Sequence, residues 1–321
     1  MTEKNFEETK IPVIVIVGPT GGGKTSLAIE IARQNNGEVI SADSMQIYRG
    51  MDIGTAKATI EERKITPHHL IDVADPDEYF SAADFTLQAD KAIENIVSRG
   101  KLPIVAGGTG FYIDALIDRY EFPPQDTQDM PVRQELEKMP IEWLRKELKT
   151  IDSLSAARLH ENDRHRIVRA IEVYRLSGRP LSTFNHKANS EKSQYLPMFY
   201  GVGCDRESLH KRLGKRVEKQ MEDGLFEEVL RLHNKGYSHD STAMLGIAYR
   251  QLLGVIRGEY SLDEGIEMIV RDSRRYARRQ YTWFNKNKRI KWLDINSLED
   301  IKPIAEKILI DYNYITRKIG E

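Results

Sequence analysis

Residues Gly18-Pro19-Thr20-Gly21-Gly22-Gly23-Lys24-Thr25 spell G-x-x-x-x-G-K-T, between an apolar run at 11–17 and apolar residues at helical spacing, Leu27, Ala28, Ile31 and Ala32. The pattern makes a phosphate cradle. Glycines let backbone N–H groups close round oxyanions, the lysine reaches the terminal phosphate, the threonine hydroxyl can serve Mg2+, and the helix dipole favours the anion. Two more chemical groups follow apolar runs. Asp43, in Ser41-Ala42-Asp43-Ser44-Met45-Gln46, comes just after the run at 38–41. It can act as a general base or help hold Mg2+, and a turn or helix cap is the other use of such a residue. Gly107-Gly108-Thr109-Gly110 follows the run at 102–106. There a P-loop NTPase would carry a metal-binding aspartate, and no acidic residue lies between 102 and 111. That weakens an ATP-hydrolysing reading. It raises Thr109 as a hydroxyl donor near a reacting phosphate, with a tight glycine turn as the alternative.

These groups meet only if the strands preceding them lie side by side. The three apolar runs, with Ala82, Phe85, Ala89, Ala92, Ile93, Ile96 and Val97 at helical spacing before Gly100, read β-α-β-α-β. This predicts an α/β fold, a P-loop NTPase-like doubly wound parallel sheet whose loops at Gly18, Asp43 and Gly107 converge at the carboxyl ends of the strands. Ser81 and Asp84 form a capping box ahead of the helix. His68 and His69, beside Asp72, point in different directions and have no accompanying ligand cluster, so they read as loop-ordering residues instead of a metal site. A turn-rich break at 122–126 and Ser177-Gly178-Arg179-Pro180 delimit short helical patterns. The expected organisation is a first part of the core over 1–125, a helical insertion domain over 126–197, and core completion with basic C-terminal helices over 198–321. A short strand is expected near 200–203, then long helices over about 207–235 and 263–285.

With 321 residues, 40% apolar, the chain can bury a substantial core. Cys204 is the only cysteine, which excludes an internal disulfide and points to a reducing compartment. The first ten residues are polar and acidic, unlike a secretion signal, and no run approaches the ~18 apolar residues that span a bilayer. A cytoplasmic protein without a membrane partner is expected. The net charge of −1 hides local imbalance: 206–219 has six Lys and Arg against two acidic residues, and 271–291 has nine against one. Arg212 and Arg216 are four apart, as are Arg271, Arg275 and Arg279, with Tyr276, Tyr281, Trp283 and Phe284 interleaved. A third cluster is Arg164-His165-Arg166-Ile167-Val168-Arg169. Such concentration in a near-neutral chain fits an anionic polymer or polyphosphate partner, although a basic helix can also be a solvated face.

Taken together, the segments at 18–25, 40–57 (Ile40 through the Gly54-Thr55-Ala56-Lys57 end), 67–72, 106–110, 165–169 and 278–284 resemble the bacterial tRNA dimethylallyltransferases, also called tRNA isopentenyltransferases. The match runs in order along nearly the whole chain, and 41–57 is its most specific block. The resemblance implies transfer of a dimethylallyl group from dimethylallyl diphosphate to the exocyclic N6 amine of the adenosine at position 37, beside the anticodon, in tRNAs reading codons that begin with U. It implies Mg2+ as cofactor, on Thr25, and the anticodon stem-loop of tRNA as partner of a monomeric enzyme. By the same resemblance the P-loop holds an isoprenoid diphosphate, with Lys24 and either Arg212 or Arg216 stabilising the leaving charge. Asp43 takes the amine proton and Thr109 hydrogen-bonds the bridging oxygen. Positions matching tRNA contacts are Asp43, Ser44, Met45, Gln46, Thr109, Arg133, His165, Arg166, Ile167, Val168 and Arg169. Arg275 and Arg279 suit backbone phosphates, while Arg278, Arg279 and Gln280 equally suit the diphosphate channel. The chain departs from the family at Gly21-Gly22, where Ala-Ser is common, and at Ala248, where glycine is usual. The rival functions are prenylation of free adenine nucleotides, a P-loop kinase, and an RNA-binding module without catalysis. The basic surfaces, the missing acidic residue after 102–106 and the intact Lys24, Thr25 and Asp43 oppose these in turn.

Overall fold

The computed structural model describes residues 10–123, 131–184 and 193–320. The end of the turn-rich break, at 124–126, lies outside them. The chain begins β1 (Ile11–Val17), α1 (Lys24–Gln34), β2 (Gly37–Ser41), α2 (Ile60–Ile65), β3 (His68–His69), α3 (Ala82–Ser98), β4 (Leu102–Gly107) and α4 (Gly110–Ile117). Four helices follow: α5 (Pro131–Lys138), α6 (Ile141–Ile151), α7 (Ser153–Arg158) and α8 (Arg164–Ser177). Then come β5 (Tyr195–Gly203), α9 (Arg206–Glu222), α10 (Leu225–Asn234), α11 (Tyr249–Ile256), α12 (Leu262–Phe284), β6 (Lys291–Asp294) and α13 (Ile301–Gly320).

The six strands form one parallel sheet in the order β3-β2-β4-β1-β5-β6. Side chains alternate between its faces. Val13, Val15 and Val17 of β1 meet Phe85, Ala89 and Ile93 of α3 and Ile113 and Leu116 of α4. Ile14 and Ile16 meet Leu27 and Ile31 of α1 and Ala305 and Ile308 of α13. Burial on both faces explains why these strands read as continuous apolar runs. Neighbouring strands β1 and β4 therefore feed helices on opposite faces, and the chain ends diverge there to open a crevice.

At the other end of β2, the buried Glu38 carboxylate accepts two bonds from Arg99 (2.6 and 2.7 Å) and one from Lys101 (2.7 Å), with His69 Nε2 at 2.7 Å. The Arg99 guanidinium, with Lys101 and His69, holds this carboxyl well below the usual carboxylate range against the opposing effect of burial. His69 thus orders the short edge strand β3, which the sequence pattern had not distinguished from loop. Ser81 and Asp84 cap α3 reciprocally, the Asp84 N–H donating to Ser81 Oγ and the Ser81 N–H to Asp84 Oδ2.

The chain divides into two compact units, Met1–Ile117 with Ser193–Glu321, and Asp118–Lys192. The boundaries expected at 126 and 197 fall at 118 and 192 instead. Tyr195 and Leu196 already pair with Ile11 and Pro12, so they belong to the sheet. The smaller unit packs α5, α6 and α8 through Leu136, Leu144, Leu148, Ile167 and Ile171. In the larger unit, the single helix expected over 207–235 is two helices, because Gly224 at φ 95° turns the chain between them. A separate cluster joins Ile47, Tyr48 and Met51 to Val217, Val229, Leu252 and Ile269, so the family-specific block beyond β2 is seated among α9 to α12.

Ala248 precedes α11 at φ 78°, ψ −48°, and is buried, its N–H donating to Gln251 Oε1 at 2.9 Å. This backbone region favours glycine, so the departure noted at 248 stores strain. Ala248→Gly is expected to raise the unfolding free energy by about 1 kcal/mol, the relief of strain exceeding the added chain entropy. Urea denaturation of the two proteins side by side measures it.

Candidate active site

Gly18 begins the loop after β1 at φ 145°, and a Cβ there would lie 2.1 Å from the Val202 carbonyl oxygen of β5, so only glycine fits. Gly23 at φ 92° ends the loop, and α1 starts with Lys24 and Thr25. Lys24 Nζ donates to the Gly18 and Pro19 carbonyls at 3.0 and 2.8 Å. Burial pulls this amine down to about 8, the Asp43 carboxylate countering and Arg216 adding to the effect. Arg216 of α9 reaches into the loop and donates to Thr20 Oγ1 at 2.9 Å.

Gln280 of α12 ties the loop to its neighbour. Its Oε1 accepts the Thr20 N–H at 2.8 Å and its Nε2 donates to the Gly108 carbonyl at 2.9 Å. A side chain at 108 would collide with that amide, since a Cβ would lie 2.1 Å from Gln280 Nε2. The loop after β4 in turn joins the loop after β2. Thr109 donates its N–H to the Ala42 carbonyl at 3.1 Å, and its Oγ1 accepts the Ser44 N–H at 2.9 Å and lies 3.2 Å from Ser44 Oγ. Asp43 Oδ1 accepts the Met45 N–H at 2.9 Å. The three strand-end loops therefore converge as the topology requires.

They line one cavity of about 620 Å³. One part is polar: residues 20–25, Asp43, Ser44, Gln46, Arg216, Arg279 and Gln280. The other carries Leu213 and Val217 of α9, Ile269 of α12, Leu245 and Ile247 of the loop before α11, and Met45 beyond β2, which together make an apolar wall. Among the described residues no group of three His, Cys, Asp or Glu side chains could hold a metal ion alone. The donor set at the loop, the Thr25 hydroxyl with the oxygens of a bound polyphosphate and water, fits the oxygen preference of Mg2+.

The cavity separates residues that the sequence left together. Arg216 lines it; Arg212, one turn earlier, does not, and donates instead to the Ile295 carbonyl at 2.7 Å. Arg279 lines it, with its guanidinium 5.6 Å from the Tyr276 ring centroid, whereas Arg275 is exposed and pairs with Asp272 at 3.5 Å. Gln280 is buried and bonded to the P-loop, so it lies on the P-loop side of the cavity. In the smaller unit Arg133 bonds Glu137 at 3.0 Å and Arg169 bonds the buried Glu172 at 2.8 Å. His165 and Arg166 are exposed. The side chains of Ile167 and Val168, expected at a tRNA contact, are instead core residues, because that face of α8 packs on α5 and α6.

A parallel sheet with a P-loop, a carboxylate and a hydroxyl at adjacent strand ends, glycines where a hydrolase carries its metal-binding aspartate, and an apolar wall facing the loop, defines a P-loop-type group transferase. The family model described as IPP transferase matches residues 46–287. A tRNA dimethylallyltransferase from Carboxydothermus hydrogenoformans is 44% identical over 93% of this chain and 96% of its own length. The crystal structure of the full-length tRNA isopentenylpyrophosphate transferase from Bacillus halodurans aligns with TM-score 0.72 at 37% identity, covering 97% of this chain and all (100%) of that one. A eukaryotic dimethylallyltransferase, solved acting on tRNA, aligns with TM-score 0.82 at 28% identity over 96% of this chain and 80% of its own. The chain belongs to the tRNA dimethylallyltransferase family, the IPP transferases.

Sequence reasoning missed the residues that seat the 52–57 loop in the cavity wall. Glu228, buried on α10, accepts the N–H groups of Asp52, Ile53 and Gly54 (2.9, 2.9 and 3.1 Å) and the Tyr249 hydroxyl (2.7 Å). Gln220 donates to the Ile53 carbonyl at 2.5 Å, and the buried Lys57 ammonium binds Asp72 (2.6 Å), Asp52 (2.8 Å) and the Tyr48 carbonyl (2.5 Å). Gln46 then donates to the Thr55 and Ala56 carbonyls, both at 3.3 Å, and accepts from Ser41 Oγ at 2.8 Å. A single glutamate in a polar helix carries no sequence signal for this. Glu228→Ala leaves three backbone donors without their acceptor and is expected to lower stability by about 3 kcal/mol, measured by urea unfolding, with Glu228→Gln losing less.

Proposed function

We propose that this chain transfers a dimethylallyl group from dimethylallyl diphosphate to the N6 amine of the adenosine at position 37 in tRNAs reading codons that begin with U, giving N6-isopentenyladenosine. The observation that carries the reading is the cavity in which the P-loop and Asp43, with the Asp43 loop held by Thr109 through the Ser44 N–H, share space with an apolar wall of the right character for a five-carbon isoprenoid.

In this reading the diphosphate lies in the loop of residues 18–25, and the dimethylallyl group points towards Leu213, Val217 and Ile269. The lone pair of N6 attacks the allylic C1, the C1–O bond breaks, and its electron pair leaves with the diphosphate. Asp43 takes the proton that N6 sheds. One carboxylate oxygen is already oriented by the Met45 N–H, which fixes the plane of the base. Lys24, Arg216 and the loop N–H groups stabilise the charge that develops on the leaving group, and Thr109 hydrogen-bonds its bridging oxygen. Mg2+ on Thr25 supplies further charge neutralisation to the diphosphate when bound.

The acceptor adenine must leave the anticodon-loop stack to reach Asp43, where Ser44, Met45 and Gln46 receive it. Arg133, His165, Arg166 and Arg169 of the smaller unit, and Arg275 with Arg279 on α12, suit the phosphates of the anticodon stem-loop. The same reading has the enzyme work as a monomer in the cytoplasm; among the described residues no helix is long and apolar enough to cross a membrane.

The direct test incubates the protein with Mg2+, dimethylallyl diphosphate and unmodified tRNA, with AMP and ATP as parallel acceptors, and weighs the nucleosides after digestion. Prenylated adenosine from tRNA alone is the expected result. Product from AMP or ATP alone assigns the chain to free nucleotides, and no product from any acceptor overturns prenyl transfer. Asp43→Asn is expected to lower kcat by about 10²-fold or more while tRNA affinity stays within about threefold. tRNA affinity measured against salt is expected to fall with a log–log slope of several units, each phosphate contact releasing ~0.7–0.9 counterion.

A further inference from the structure

Tyr276 lies one helical turn before Gln280 on α12 and lines the same cavity. Its hydroxyl neighbours the side chains of Thr109 and Gln280, and the Asp43 charge acts on it through the cavity. We propose that the Tyr276 hydroxyl is a further catalytic residue, donating a hydrogen bond to the departing diphosphate oxygen beside Thr109; this rests on the prenyl-transfer reading above.

Gln280 spends its oxygen on the Thr20 N–H and its nitrogen on the Gly108 carbonyl. Thr109 Oγ1 already accepts the Ser44 N–H, and its own proton has Ser44 Oγ at 3.2 Å, a long bond that a stronger acceptor displaces. Among the described residues the phenol proton has only the neutral Thr109 and Gln280 side chains as hydrogen-bond neighbours, and a phosphate oxygen in the cradle is a stronger acceptor than either. Asp43 must stay free to receive the amine proton. Burial, with the Asp43 charge, pushes the phenol well above its ordinary range, so it stays protonated at neutral pH and is a donor, never a base. Arg279, 5.6 Å from the ring centroid, keeps the ring against the anionic side of the cavity. As the C1–O bond breaks, negative charge grows on the bridging oxygen, and a neutral preorganised donor bonds it more strongly in the transition state than in the ground state. The tyrosine keeps its proton throughout, so the balance of the step is unchanged: N6 loses a proton to Asp43, C1 exchanges oxygen for nitrogen, and diphosphate departs with the electron pair.

Tyr276→Phe keeps the ring and removes only the hydroxyl. The expected result, with full-length protein, Mg2+ and saturating tRNA, is a fall in kcat of about 10–10²-fold, with KM for dimethylallyl diphosphate within about threefold and the melting temperature preserved. A kcat within about threefold of the parent overturns the proposal, as does a loss shared by KM and melting temperature, which marks a packing role. Failure of the parent protein to prenylate tRNA refutes the function itself and is read before any variant is made.

Discussion

A diphosphate carries its charge into a half-enclosed cavity, and something must hold that charge without water. The means this fold offers is backbone: the N–H groups of a loop at the start of α1, whose ends Gly18 and Gly23 take φ values of 145° and 92° that favour glycine. Everything else in the larger unit can be derived from keeping that loop in place. Val202 of β5 crowds Gly18 from one side, Gln280 caps Thr20 from another, and Arg216 bonds the Thr20 hydroxyl. A loop held from three sides is preorganised, which is the condition for stabilising a transition state.

The parallel sheet delivers the partners of that loop by topology. Because β1 lies between β4 and β5, and β4 lies beside β2, the ends carrying the phosphate loop, Thr109 and Asp43 are neighbours in space although 66 residues separate Asp43 from Thr109. The short backbone contacts from Thr109 to Ala42 and from Ser44 to Thr109 make two of these loops one structural piece. What distinguishes the site from that of a nucleotide hydrolase is the helical wall. Leu213, Val217 and Ile269 stand where an apolar group can lie, and the block after β2 is anchored against α9 to α12 by Glu228, Gln220 and Lys57. An isoprenoid tail and its diphosphate head need these two environments in contact.

The smaller unit shows how charge is organised away from the chemistry. Glu172 is buried beneath Arg169, and Glu137 holds Arg133, so both arginines are oriented by carboxylates. His165 and Arg166 remain exposed on the first turn of α8, whose N-cap is Asp163. On α12, Asp272 plays the same part for Arg271, Arg275 and Arg250. Partly neutralised arginines offer directed donors, which suits recognition of phosphates at defined positions better than an unpaired charge field.

The amino-acid sequence by itself determined what depends on neighbours along the chain. The phosphate loop, the capping box at Ser81 and Asp84, and the strands read as apolar runs all follow from local backbone and side-chain preferences. The convergence of three strand ends was also legible, because few connections of β-α-β units are possible. Tertiary structure decided which of several equivalent side chains points where. Arg212 and Arg216 share one helical face in sequence, and only the packing of β6 and the Ile295 carbonyl takes one of them out of the cavity. Ile167 and Val168 sit in a basic motif yet fill a core, and Glu228 sits in a polar helix yet holds a loop some 175 residues away in sequence. Electrostatic and packing energies depend on distance in space, and that distance is set only when the helices have docked.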